Sequence, residues 1–213
     1  MKRTPLKSTI VLGLLAALTQ GARADAIPYP SAGTYNATAY TFTAAATGDV
    51  VAYFVGGAGA GYENQVGLMI NGVLSSVGFG LDNHASGVGD SLDFGPANAG
   101  DTLTIVLHNL SLAQDAYSDP SLNVAYDAPG ATGHNHVYST AYTATAPVFA
   151  GVPAGHYVAF EDEPFPSSDY NYDDGSYVFT NVNVAAAVPE PATGALLLLG
   201  AVAVGASARR RRV

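Results

Sequence analysis

Between residues 35 and 182 the chain is written in short segments in which apolar or aromatic positions alternate with polar ones. Leu103, Ile105 and Leu107 alternate with Thr102 and Thr104, so that one set of side chains falls on each face of an extended strand. Segments 35–43, 50–55, 66–70, 73–77, 102–108, 121–126, 136–143, 156–160 and 177–182 read as strands on the same ground. Asn71-Gly72 between two such runs predicts a type I′ hairpin. Thr47-Gly48-Asp49 and Gly100-Asp101 are turn signals ahead of strands, whereas Asp82-Asn83-His84 and the stretch from Asp115 to Asp119 read as turns in themselves. Helical periodicity is confined to the chain ends. The pattern predicts an all-β fold, an antiparallel β-sandwich or jelly-roll-like pair of sheets. Its expected core is Val51, Tyr53, Leu68, Ile70, Leu103, Ile105, Leu107, Val158, Phe160 and Phe179.

The two ends carry a different pattern. Lys2, Arg3 and Lys7 precede an apolar run from Ile10 to Leu18, and Ala22-Arg23-Ala24 supplies a small-x-small cleavage site. This is a secretory signal peptide, residues 1–24, cut before Asp25. At the other end stand Val188, Pro189, Glu190 and Pro191, then an uncharged small and apolar run to Ala208, then Arg209, Arg210, Arg211 and Arg212. As a helix, residues 192–208 would span ~25 Å, close to a ~30 Å hydrocarbon core. The arginines after it form a cytoplasmic stop. Residues 25–184 are then the exported domain, 185–187 a linker, and 188–213 the tail.

Motif, transmembrane helix and basic end in that order resemble the PEP-CTERM sorting signal of Gram-negative bacteria. The resemblance implies recognition by the membrane enzyme exosortase, removal of the tail, and a protein held only transiently at the inner membrane before reaching the cell surface or medium. Bacteria that use this signal usually make extracellular polysaccharide.

Charge separates the targeting segments from the rest. All eight Lys and Arg lie in them, and all seventeen Asp and Glu lie from Asp25 to Glu190. That stretch is formally −17 with histidines neutral. A basic nucleic-acid surface is excluded, as is any Lys or Arg salt bridge within the domain. There is no cysteine, hence no disulfide, thiolate metal site or thiol nucleophile.

The densest chemistry falls between two expected strands. Glu161, Asp162, Glu163, Asp169, Asp173 and Asp174 lie within fourteen residues, with Asn171 among them. Carboxylates so close raise one another's pKa unless a cation sits among them. Calcium is the natural candidate, bound by Asp169, Asn171, Asp173 and Asp174 with Glu161 or Asp162, because it takes six to eight oxygens in flexible loops. Asp169-x-Asn171-x-Asp173 has the alternating oxygen spacing of calcium loops, without the flanking helices of an EF-hand. The segment from Phe160 to Phe179 also resembles a signature of a domain of unknown function common in bacterial surface proteins. That signature runs Gly-Phe-Glu-Asp-Leu, then Asp-x-Asp-Tyr-Asn-Asp, then an apolar strand. Phe160, Glu161, Asp162, Asp169, Tyr172 and Asp174 match it. Ala159 and Glu163 depart, Asn171 and Asp173 exchange its Asp and Asn, and Gly175-Ser176 looks inserted. The resemblance implies an all-β surface domain with a calcium site.

Other constellations are less specific. His134 and His136 would share one side of a strand, the spacing of a weak metal pair, although loop-to-strand histidines of this kind are commonly structural. Glu63, beside Asn64 after a glycine-rich loop, offers a further calcium ligand from another loop, although an exposed turn acid is the better reading. No Gly-x-Ser-x-Gly or His-Glu-x-x-His occurs, and with seventeen acids a glycosidase pair has no specificity. The sequence reads as a non-enzymatic matrix protein, structural or adhesive, associated with exopolysaccharide. A carbohydrate-binding module is the alternative, and a secreted hydrolase ranks third.

Overall fold

A computed structural model describes residues 29–57, 59–127, 133–144, 149 and 151–187. The cleavage residues Ala22 and Ala24, the motif Val188 to Pro191, and Arg209 to Arg212 lie outside the described residues. Among those described, no helix is long and apolar enough to cross a membrane. The described residues are all-β, apart from one 3₁₀ turn at Pro120–Leu122.

Eleven strands follow one another: β1 (Ala39–Ala44), β2 (Gly48–Gly56), β3 (Asn64–Ile70), β4 (Val73–Gly80), β5 (Ser91–Ala97), β6 (Thr102–Asn109), β7 (Gln114–Tyr117), β8 (Val137–Tyr142), β9 (Gly155–Phe160), β10 (Gly175–Phe179) and β11 (Val182–Ala187). Every pairing is antiparallel. One sheet has the order β11-β1-β6-β3-β4, with β7 beside the second half of β6, and the other has β5-β2-β10-β9-β8. Inner-face side chains of both sheets meet in one cluster: Phe42, Leu68, Ile105 and Leu107 from the first, Phe54, Val158, Phe160, Tyr177 and Phe179 from the second. The β3–β4 hairpin turns at Asn71 (φ 50°) and Gly72 (φ 80°), the left-handed pair that a type I′ turn requires.

Several expectations need correcting. The core face of β2 is Val50, Ala52 and Phe54, while Val51 and Tyr53 are only half-buried. The run Val50 to Val55 is apolar at both parities, so alternation cannot choose its face. Its other face is covered as well: Val55, Tyr157, Ala159 and Val178 pack with Tyr142, Phe149 and Val152 in a second cluster, with Tyr53 against it. Residues 121–126 form turns instead of a strand, because Asp119 caps the 3₁₀ turn that Pro120 opens. Residues 115–117 belong to β7, and Ser91–Ala97 is a strand that the alternation did not reveal. The supposed linker 185–187 is the last part of β11, paired with β1.

The described parts of the chain reversals, 57 with 59–63, 81–90, 110–113, 118–127 with 133–136, and 161–174, fall at one end of the molecule, where Asn64 pairs with Asn109 and where Phe160 pairs with Gly175 and Val137. That end carries the acidic segment. The burial of β2 gives a direct test of its register. Phe54→Ala should cost about 3–5 kcal/mol, and Val51→Thr about 1 kcal/mol or less, in chemical denaturation of the processed protein. Equal losses would place the core on the wrong face.

Candidate metal centre

The strands create the site by where they stop. Phe160 ends β9 and is paired with Gly175, which begins β10. Glu161 and Asp162 therefore leave the sheet opposite the point where Asp174 enters it. The backbone N–H of Asp174 donates to the Phe160 carbonyl (3.1 Å), and the Asp162 N–H donates to Asp174 Oδ2 (3.0 Å). The carboxylates of Glu161, Asp162 and Asp174 bring oxygens within 4.8 Å of one another. Their residues are 1 %, 2 % and 9 % exposed, so this cluster lies inside the domain.

Buried asparagines frame it. Asn64 Nδ2 donates to Asp162 Oδ2 (2.6 Å). Asn83 accepts from the Asn64 N–H (2.8 Å), and its Nδ2 donates to the carbonyls of Tyr62 (3.0 Å) and Asp174 (3.1 Å). Asn109 Nδ2 donates to the Asp162 carbonyl (3.2 Å), which also accepts from the Tyr126 hydroxyl. Gly57 closes the wall: a Cβ there would meet the Asp174 carbonyl oxygen at 2.5 Å, and its φ is +117°. Each asparagine supplies donors and an acceptor without adding charge, which suits a site already rich in it. The sequence reading missed all three, since isolated asparagines near strand ends give no pattern.

The remaining hairpin residues hold different positions. Asp169 and Asn171 engage in successive turns: the Asn171 N–H donates to Asp169 Oδ1 (3.0 Å), Asn171 Nδ2 to Asp169 Oδ2 (3.0 Å), and the Asp173 N–H to Asn171 Oδ1 (3.0 Å). Tyr170 and Tyr172 between them take φ of 57° and 55°. The alternating spacing thus builds a ladder of side-chain turns. Buried Tyr172 anchors it, its hydroxyl accepting from the Asn36 N–H and donating to the Asn135 carbonyl. Asp169, Asn171 and Asp173 stand around the mouth of a cleft of about 310 Å³ whose floor is the triad. Glu63 is exposed, and Tyr62 beside it lines the cleft instead.

Burial decides the electrostatics. It pushes the Glu161 carboxyl up to about 7, helped by the charge of Asp169, against hydrogen bonds from Glu163 and Ser168. Asp162 is raised by burial despite its bond from Asn64, and Asp174 by burial and by Asp162. Asp173 is raised by burial and by Asp169. Glu161 Oε2 and Asn64 Oδ1 are buried and find no hydrogen-bond partner among the described residues. Unpaired buried oxygens beside carboxylates are a donor set for a hard cation. The triad can hold a metal ion, and the all-oxygen chemistry suits calcium or magnesium better than zinc.

His134 and His136 do not form a metal pair of their own. Each donates to one oxygen of buried Asp127, at 3.1 and 3.0 Å. Burial pushes the Asp127 carboxyl up, but bonds from His136 and from the Phe165 and His134 N–H groups outweigh it and hold it below the usual carboxylate range. His136 Nδ1 also bonds the Glu161 carbonyl (3.0 Å). This unit fixes the backbone on which the triad stands.

Raised carboxyl pKa values mean that the metal-free fold keeps protons which the unfolded chain has released above about pH 4. The stability they contribute is complete below that point and is lost as pH rises through about 7. Melting of the chelated protein should therefore fall from about pH 5 to about pH 8, a window in which Asp127 is ionised in both states. Glu161→Gln should flatten that slope. An unchanged slope would mean that Glu161 does not titrate high.

No curated protein and no solved structure matches the chain. Residues 187–212 match the family model of the PEP-CTERM protein-sorting motif. The chain thus ends in a PEP-CTERM sorting signal, which marks it as an exosortase substrate and implies export to the cell surface or beyond.

Proposed function

We propose that this protein is a sorted bacterial surface or matrix component, structural or adhesive, whose β-sandwich domain is completed by calcium and acts without catalysis. The signal peptide delivers it across the inner membrane, the tail holds it there, and exosortase releases it. The observation that carries the calcium reading is the buried triad Glu161, Asp162 and Asp174, with Glu161 Oε2 unpaired, in a stretch that has no lysine or arginine. A divalent ion supplies the positive charge that the protein itself omits. Convergence of the three carboxylates on one point favours holding an ion over glycoside hydrolysis, in which two carboxyl groups face each other across a substrate. Calcium fits better than magnesium because the donors come from two separated stretches of one loop and need not be octahedral.

Calcium bound to the folded state alone stabilises it by about 2.7 kcal/mol at a hundredfold excess over Kd. Extracellular modules often bind with Kd on the order of 10⁻⁴ to 10⁻³ M, so millimolar calcium gives a smaller shift. Calcium should raise the melting temperature of the processed protein more than magnesium at equal ionic strength. A Glu161→Gln, Asp174→Asn double variant, which relieves repulsion and should fold without metal, should lose that difference. Equal shifts in both proteins, or no advantage over magnesium, would leave only general screening.

The sorting reading has its own test. Mass spectrometry of the mature protein should find it beginning near Asp25 and lacking Arg209 to Arg212, and Glu190→Ala should impair release. Extracellular protein that retains the arginines would count against processing by exosortase.

A further inference from the structure

The cleft above the triad does not end there. It runs into a second hollow of about 520 Å³, and Gly59, Ala60, Asn171 and Asp173 line both. The second hollow is amphipathic: Val55, Phe149 and Tyr157 give it apolar surface, and Gly56, Gly57 and Ser176 give it backbone and hydroxyl groups. An acidic chamber thus opens into a wider half-apolar one, of the size in which small ligands are held.

Coordination chemistry says what the joint can bind. Asp162 Oδ2 and Asp174 Oδ2 already accept hydrogen bonds, from Asn64 and from the Asp162 N–H. With those set aside, and with them Glu161 Oε1, which accepts from the Glu163 N–H, the triad together with the unpaired Asn64 Oδ1 offers about four oxygens, and calcium takes six to eight. About two to four positions therefore fall to ligands entering from the cleft. Three carboxylates and one divalent ion leave a net negative charge, with Glu163, Asp169 and Asp173 lining the same space. No lysine or arginine is available in the exported stretch to receive an anion. Carboxylate and phosphate ligands are disfavoured on both counts.

We propose that the paired cleft binds a neutral sugar, two adjacent hydroxyls of which complete the shell of the ion while its ring lies toward Val55, Phe149 and Tyr157. Adjacent hydroxyls supply two uncharged oxygens at once, and the carbon faces of a sugar ring match an amphipathic wall. The inference rests on the calcium reading above and names the ligand class of that site.

The experiment is titration calorimetry on the processed, calcium-loaded protein. The probes are the methyl glycosides of mannose, galactose, glucose and rhamnose, then mannan and dextran as chain forms, with alginate as the acidic comparison. Calcium binding is titrated separately in the absence of sugar. At least one neutral probe should bind in calcium and lose about tenfold or more in affinity under chelation. Binding by the glycosides places recognition on the single ring. Binding by mannan or dextran alone extends it along a chain and supports the same chemistry. Gly59→Tyr supplies a steric control, because a Cβ at Gly59 meets nothing within 4 Å and its side chain would enter the passage shared by the two hollows. This variant should bind calcium normally and lose the sugar. Normal calcium binding with no neutral probe bound overturns the sugar inference and leaves the calcium reading standing. Failure to bind calcium overturns the calcium reading itself. Sugar binding unaffected by chelation or by Gly59→Tyr, or a preference for alginate, also overturns the inference.

Discussion

A domain without lysine or arginine must solve its electrostatics by other means, and the acidic end follows from that constraint. Buried carboxylates are normally balanced by a protein cation or protonated. At Asp127 hydrogen bonds do this work, His134 and His136 each taking one oxygen. Among the described residues nothing equivalent reaches Glu161, Asp162 and Asp174. Their neighbours are neutral amides and backbone N–H groups, which lower the cost of each charge without cancelling it. Proton uptake and cation binding are then competing ways of satisfying the same cluster. The lower the pH, the more the fold can stand without metal.

The two sheets matter to this site chiefly through their ends. Antiparallel pairing brings Phe160 beside Gly175 and Asn64 beside Asn109, so residues distant in sequence start and stop at one level. The asparagines at those ends then bond to loops instead of extending ladders. Asn83 is the clearest case, linking Asn64, Tyr62 and Asp174 from a turn between β4 and β5. Strands β9 and β10 are buried on both faces, by the main core and by the second cluster. A loop rooted in doubly covered strands is held more firmly than one on a sheet edge, which favours a preformed site.

Alternation along the chain was enough to read the fold class, the β3–β4 hairpin and the core positions Leu68, Ile105, Leu107, Val158, Phe160 and Phe179. It failed where both parities are apolar, as in β2, and where a strand carries glycine, proline and aspartate, as in β5. The acidic segment was legible as a place. Its internal geometry was not, because spacing in sequence cannot show which oxygens are already spent. Asp169 and Asn171 have the spacing of calcium ligands, yet their acceptors serve the turns between them. Glu161, Asp162 and Asp174 come together through strand pairing thirteen residues apart, which no local motif encodes. Asp127 and the asparagines gave no signal beyond composition. The tail was legible in full as a motif because its parts are contiguous.

What the triad costs also bears on what it does. Replacing a buried charged group with a neutral one of the same shape is often stabilising when no partner balances it. Glutamine at Glu161 and asparagine at Asp174 would keep the volume and relieve the repulsion. A domain shaped for metal-free stability alone would gain from those changes. Keeping the carboxylates is favourable only if protons or a bound cation outweigh their desolvation and mutual repulsion. The same reasoning separates the triad from the acids scattered over the rest of the surface. Asp101, of intermediate exposure, is held below its usual pKa by bonds from Asn71 and Asn98, so the fold favours its ionised form. Glu161, 1 % exposed with an unpaired oxygen, is in the opposite situation. The first kind of acid keeps a surface soluble, whereas the second makes the stability of the domain depend on its ionic surroundings.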